Sequence, residues 1–332
     1  MVYDVHAHCI PPEFRVWLES SGPDVGLEIV DQGRGTCVRF NGQFTTAPLR
    51  DDLGDVGTRV EAMDRMGVTK QLLAGWVDLA GYDLEPSRGA TYARAHNDAL
   101  AEHASSIPDR FLSLATVPLQ DPSAAAGELA RAMSELGMVG AQIATTVGTD
   151  WVDQRPLDEF WEAATELGAL IVLHPMAPLT GVDLDRYFMS NAVGRPAETT
   201  ICLAGLIFSG VFDRHPSLAL CAVHGGGFAP YQVGRMNRAY LAKPELAGKQ
   251  ISKLPGDYLS NLYFDTVVHD PDVLRFLIDS FGADHVMLGT DYPFEMGDDD
   301  PVALVDSVPG ITTEEREAIL TGNVERLLGT GT

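Results

Sequence analysis

Two histidines one residue apart, His6 and His8, lie in the apolar run 2–10 near the start of the chain. A strand repeats every two residues, so both imidazoles leave the same face and come close together. That is metal-ligand spacing, and the apolar neighbours Val2, Val5, Ala7 and Ile10 place the pair in a buried setting rather than on a solvated face. Three more side chains repeat the theme. His174 ends the run IVLH, His224 ends LCAVH, and Asp291 follows VMLGT. Each has a plainer explanation when taken alone: a core histidine, a histidine in a glycine turn, and an Asx-turn aspartate in TDYP. Together they form a nitrogen and oxygen donor set suited to one divalent first-row cation, with one imidazole to spare.

These residues need a scaffold that gathers the ends of separate strands. Short apolar or β-branched runs recur at 3–8, 70–74, 111–117, 140–145, 169–174, 219–224, 262–267 and 286–290. Amphipathic helical patterns fill the intervals, notably 57–66, 89–104, 122–136, 157–167, 198–209 and 271–281. Eight alternating units predict an α/β fold, a parallel (β/α)8 TIM barrel, whose active sites collect at the C-terminal ends of the strands. Several runs are continuously apolar, as in strands buried on both faces. The connection after the first strand is long. Its stretch LEIVDQGRGTCVRFNGQFTT alternates and carries Asn41-Gly42, which predicts a small β-hairpin insertion over the barrel mouth. The expected organisation is a single domain over 1–332, with 11–56 as an insertion or lid region within it. A second irregular stretch, 175–196, is expected at the C-terminal rim. A closing helix is expected over 312–328, with Thr312 as N-cap and Glu314 and Glu315 in its first turn.

Composition narrows the function classes. With 45% hydrophobic residues, the 332-residue chain can bury a large core. It has no apolar run long enough to span a bilayer, and its first residues lack the basic and apolar regions of a signal peptide. A soluble cytoplasmic protein is expected, with Cys9, Cys37, Cys202 and Cys221 reduced and unpaired. A formal net charge of −24 repels phosphate backbones and anionic membranes, so neither nucleic acid nor membrane is an expected partner. An anionic substrate would need local cations. Among the remaining histidines, His96 and His103 share a helical pattern with Asn97, Asp98 and Glu102 and are expected on a solvated face. His215 and His285 precede strands, at the opposite end of the barrel. His269 follows the seventh strand, on the side where the other candidates gather.

The motifs DVHAHCIPPEF, GAQIAT, LHP, GRPAETT, HGGG followed by YQVGR, YFDTVVHDP, GTDYPFEMG and GNVERLL run almost end to end. In these the chain resembles the metal-dependent amidohydrolase superfamily, and within it the aminocarboxymuconate-semialdehyde-decarboxylase-like branch. The resemblance implies a mononuclear site with His6, His8, His174 and Asp291 on the metal and His224 beside a metal-bound water as acid or base. Gln142 in GAQIAT agrees with a strand four that carries no carbamylated lysine, so a second metal is not expected. The cation expected first is Zn2+, with Mn2+, Fe2+ or Co2+ as alternatives. Arg235 matches an arginine that reaches the substrate of the partner subunit, which implies a homodimer. Arg235, Met176, Trp76, His269 and Arg50 are the candidate substrate contacts. Two positions depart from the branch's pattern. Ala47 stands where a substrate-binding arginine is expected, with Arg50 three residues later, and Met176 replaces a tryptophan.

The implied activity is non-oxidative decarboxylation of a small unsaturated or aromatic carboxylic acid, with His224 and Asp291 in the catalytic roles. The same ligands would serve a metal-dependent hydrolase of a lactone, amide or activated carbon–carbon bond, or a hydratase. A barrel that binds without catalysis is the alternative from another class, and the complete ligand set speaks against it.

Overall fold

The computed structural model describes residues 1–330 apart from 32, 34, 177, 178, 180 and 185. Parts of the expected hairpin (32 and 34) and of the expected rim stretch (177, 178, 180 and 185) therefore lie outside the described residues. The strands in chain order are β1 (Tyr3–Cys9), β2 (Leu27–Asp31), β3 (Thr36–Phe40), β4 (Phe44–Thr45), β5 (Lys70–Gly75), β6 (Phe111–Ser113) and β7 (Gly140–Ala144). They continue with β8 (Thr146–Val147), β9 (Asp150–Trp151), β10 (Leu170–His174), β11 (Leu220–Ala222), β12 (Tyr263–Asp265) and β13 (Val286–Met287). Eight of these form the barrel. β1, β5 and β6 pair in parallel, as do β7, β10, β11, β12 and β13. Two parallel bridges join the arcs, Ala115 with Ala141 and Ala7 with Tyr292. The order β1-β5-β6-β7-β10-β11-β12-β13 thus returns to β1, and every expected strand run contributes one stave.

The apolar runs pair because both faces are covered: β1, β7 and β10 are buried at every residue. Among the described residues, three of the helices between them start on aspartate caps. The side chain of Asp55 accepts from Thr58 N, that of Asp121 from Ala124 N, and that of Asp270 from Asp272 N and Val273 N. The last helical segment opens on a reciprocal box between Thr312 and Glu315. All four cysteines are free and buried. Among the described residues no helix is long and apolar enough to cross a membrane. The segment after β1 is an antiparallel sheet of three strands, β2-β3-β4. Asn41 and Gly42 turn the chain between β3 and β4, both with positive φ (50° and 71°).

The expectation for His96 and His103 is corrected. Both are buried, because positions 92, 96, 100 and 103 form the inward stripe of the helix Pro86–Ser105. Their polar neighbours disguised an i, i+4 pattern anchored by Tyr92 and Leu100. The His96 ring meets Phe14 edge-on, with centroids 4.4 Å apart. Burial pushes its pKa down to about 4. The unfolded chain therefore takes up a proton in the interval between about 4 and the ordinary histidine value near 6.5 that the folded chain refuses. Stability is expected to fall through that window as pH drops. A His96→Leu protein should show a shallower fall in urea unfolding titrations between pH 6 and 4.

A buried polar chain underlies the barrel's first stave. Arg59 donates to Gln71 Oε1 (2.8 Å), to the His8 carbonyl (2.6 Å) and to the Leu53 carbonyl (3.0 Å). Gln71 Nε2 in turn donates to Asp4 Oδ2 (2.7 Å). Asp4 accepts from His6 N (3.0 Å), Thr290 N (3.1 Å) and Thr290 Oγ1 (2.6 Å). One carboxylate thus ties β1 to the loop after β13. Burial raises its pKa to about 6 against the pull of these donors. Buried networks of this kind rigidify what they join, and here that is the backbone of His6, His8 and Asp291.

Candidate metal centre

His6, His8, His174 and Asp291 meet at the C-terminal ends of the staves, each offering one ligand atom within 4.8 Å of all the others. All four are buried. His8 Nε2 lies 3.1 Å and His6 Nε2 3.3 Å from Asp291 Oδ1. Ring centroids are separated by 5.2 Å (His6 and His8), 5.2 Å (His6 and His174) and 4.9 Å (His8 and His174).

The outer nitrogens decide whether this set fits a cation. His6 Nδ1 is 2.7 Å from Asp265 Oδ2 and His174 Nδ1 is 2.7 Å from the Pro175 carbonyl. His8 Nδ1 lies a longer 3.5 Å from the Gly75 carbonyl. Carboxylates and carbonyls only accept, so these partners draw the imidazole proton to Nδ1 and leave the Nε2 lone pair facing inward. Among the described residues, His6 Nε2 and His174 Nε2 are buried without a hydrogen bond. Buried bases are rarely left in this state, and a shared divalent cation satisfies them.

The electrostatics agree for His8 and His174. Burial pushes His8 down, only partly offset by Asp291, and pushes His174 well below the ordinary histidine value, helped by the neighbouring imidazoles. Both shifts favour the neutral form that a ligand must have. Burial also works against a charge on His6, but Asp291, Asp265 and Asp4 together raise its pKa. Burial works against the charge on Asp291, yet His6, His224 and His8 hold its carboxyl well below the carboxylate range.

His224 stands beside the cluster, its Nε2 3.5 Å from Asp291 Oδ2. Its backbone has φ 56° and that of Asp291 φ 58°, left-handed conformations that non-glycine residues adopt at a cost. Both residues follow the ends of their strands, β11 stopping at Ala222 and β13 at Met287, short of the expected runs. Asp265 Oδ1 accepts from Gly225 N (2.8 Å) and Val267 N (3.2 Å). One carboxylate therefore orients His6 and also fixes the turn that carries His224. An Asp265→Asn protein, with a weaker acceptor for the imidazole, should bind its metal roughly 10- to 100-fold more weakly in a chelator competition.

A cavity of about 1170 Å³ opens from His174, His224 and Asp291. Trp76, His269 and Arg50 line it, as does Ala47. Arg50 is already engaged. It pairs with Asp52 (2.7 Å) and Glu295 (2.8 Å) and lies 5.5 Å from the centre of the Phe294 ring. Met176 is buried in the core cluster rather than lining the cavity. Arg235 is exposed on the helix Ala229–Ala242 and does not line its own chain's cavity. Three participants escaped sequence reasoning: Asp265, Asp78 and Arg195, the last two in the cavity wall. Asp265 closes an apolar strand run just as the ligands do, and that signal was present in YFDT.

The amidohydrolase family model matches residues 3–330. The chain belongs to the amidohydrolase family. Within that family it is 34% identical over 329 residues to the 2-amino-3-carboxymuconate-6-semialdehyde decarboxylase of Dictyostelium discoideum, covering 98% of this chain and 91% of the relative. A gamma-resorcylate decarboxylase of a Rhizobium species is 31% identical over 262 residues, or 72% of this chain and 76% of the relative. Among solved structures, the dihydroxybenzoic acid decarboxylase of a Polaromonas species, with bound manganese and the inhibitor 2-nitroresorcinol, aligns with a TM-score of 0.80. It shares 26% identity, with 99% of this chain and 96% of that one covered. These amidohydrolase relatives are what the chain is similar to in both sequence and barrel.

Proposed function

We propose that this amidohydrolase is a metal-dependent, non-oxidative decarboxylase of a small unsaturated or aromatic carboxylic acid. The observation that carries the proposal is the inward-facing set of three imidazoles and Asp291 beside an uncommitted fourth imidazole, in a family whose similar members are decarboxylases. His6, His8, His174 and Asp291 would hold one cation. Three nitrogens and one carboxylate oxygen suit Zn2+, with Mn2+, Fe2+ or Co2+ as alternatives. When bound, the ion supplies Lewis acidity and a fixed positive charge for the substrate's oxygens.

The chain's own groups account for the rest. Trp76 and Phe294, with ring centroids 5.9 Å apart, form an aromatic wall against which a flat acid can lie. His224 delivers a proton to the carbon that bears the carboxylate. A π pair of the conjugated system forms that carbon–hydrogen bond; the bond to the carboxylate carbon then breaks, carbon dioxide leaves, and the pair from the broken bond restores the conjugation. Asp291, 3.5 Å from His224 Nε2, steadies the protonated imidazole before transfer.

Among the described cavity residues, Arg50 is paired with carboxylates and Arg195 has Asp78 at 3.9 Å. A cation for the substrate from outside the chain is therefore a natural complement. In the proposed homodimer, Arg235 of each copy serves the other's cavity. Support comes from the apolar side chains exposed near the cavity mouth, Ile201, Phe228, Tyr231, Val273 and Phe276. The protein is further taken as one barrel domain working in the cytoplasm, with 11–56 as its covering element.

The test is to incubate metal-loaded protein with hydroxybenzoic acids and unsaturated dicarboxylic acids and to follow carbon dioxide. Release of carbon dioxide is expected. Formation of a new carboxyl group from an ester, lactone or amide, without carbon dioxide, would replace the proposal with a hydrolase.

A further inference from the structure

The segment Arg195–Phe208 opens a helix whose first residues, in the motif GRPAETT, have no part in the chemistry above. They converge on the two residues that follow His174. The Pro175 carbonyl, which accepts a hydrogen bond from His174 Nδ1 at 2.7 Å, also accepts from Arg195 Nη1 at 2.7 Å. Next to it, Met176 N donates to Glu198 Oε1 at 2.8 Å, and the same carboxylate oxygen accepts from Thr145 Oγ1. Arg195 and Glu198 are one turn apart on a single helix face, so a rigid element clamps both ends of one peptide group, the Pro175 carbonyl and the Met176 N–H. Arg195 is itself steadied from across the cavity, where its Nη2 is 3.9 Å from Asp78 Oδ1.

A carbonyl oxygen has two lone pairs and can serve both donors at once. The guanidinium has two effects on the histidine it never touches. It fixes the direction of the carbonyl, and hence the plane in which the imidazole must lie to keep its hydrogen bond. It also draws charge from that oxygen, so His174 leans on a weaker acceptor than His6, which leans on the Asp265 carboxylate. We propose that Arg195 is the positioning residue for His174, setting the orientation and donor strength of that ligand through the shared Pro175 carbonyl. The inference rests on the metal-centre reading above.

The experiment uses the full-length protein loaded with cobalt(II), whose visible absorption reports ligand geometry, together with chelator competition for affinity and thermal unfolding of the stripped protein. Arg195→Met should weaken cobalt binding roughly 10- to 100-fold and change the absorption bands, while the stripped protein unfolds as wild type does. Arg195→Lys, which keeps a donor, should recover part of the affinity. Unchanged cobalt affinity and spectrum in Arg195→Met would overturn the proposal. That holds if only KM rises, which would make Arg195 a substrate contact, and if only the stripped protein is destabilised, which would make its role structural. Should Arg195→Met fail to fold, an unaltered spectrum in Arg195→Lys would overturn it equally. A wild-type protein that binds no cobalt would instead sink the metal-centre reading, and one that binds it without releasing carbon dioxide would sink only the decarboxylase.

Discussion

Replacing His224 with asparagine lowers decarboxylation turnover by about 10²- to 10⁴-fold and leaves the metal content unchanged. The magnitude is that of losing a positioned proton donor. The position of His224 suits that role, because its Nε2 faces Asp291 at 3.5 Å, it lines the cavity, and it lies outside the four-residue ligand cluster. Asparagine retains a polar side chain and tolerates the left-handed backbone at φ 56°, so the turn through Gly225 should survive. Steady-state turnover and elemental analysis on the same preparation make the comparison. Normal turnover would remove His224 from the mechanism, and lost metal would make it a ligand.

Stripping the metal with a chelator abolishes activity and destabilises the fold, and one equivalent of divalent cation restores both. Activity falls because His6, His8, His174 and Asp291 then have nothing to hold. Stability falls because the bases His6 Nε2 and His174 Nε2 remain buried without a hydrogen bond. A cation present at a thousandfold excess over its Kd stabilises the folded state by about 4 kcal/mol, and stripping removes that contribution. Thermal unfolding with and without added metal reads the effect. Retention of full activity after removal, verified by elemental analysis, would defeat the metal-dependent reading.

Much of this arrangement was legible in the residues because it is local. A run such as IVLH announces both the strand and the ligand at its end, and eight such runs in series announce a barrel. The exact partners were not legible, because they come from distant parts of the chain. Asp265 meets His6 across 259 positions, and Asp4 meets Thr290 across 286. No spacing rule reaches that far. His96 failed for a different reason: Asn97 and Asp98 lent the helix a polar look, while its packing on Phe14 decided the burial. The Asn41-Gly42 signal marks the turn between β3 and β4, and the structure adds β2 to that pair as a third strand.

Closure of the barrel by the bridge between Ala7 and Tyr292 has a consequence for biosynthesis. His8 and Asp291, which face each other at 3.1 Å, are 283 positions apart, so the donor set is gathered from the first and last staves of the barrel. A ribosome part-way through the message has made the first two imidazoles long before the carboxylate that completes their cage. Tight capture of the ion must therefore wait until Asp291 has been translated, and any truncation ahead of Asp291 yields a product that cannot be rescued by supplying metal.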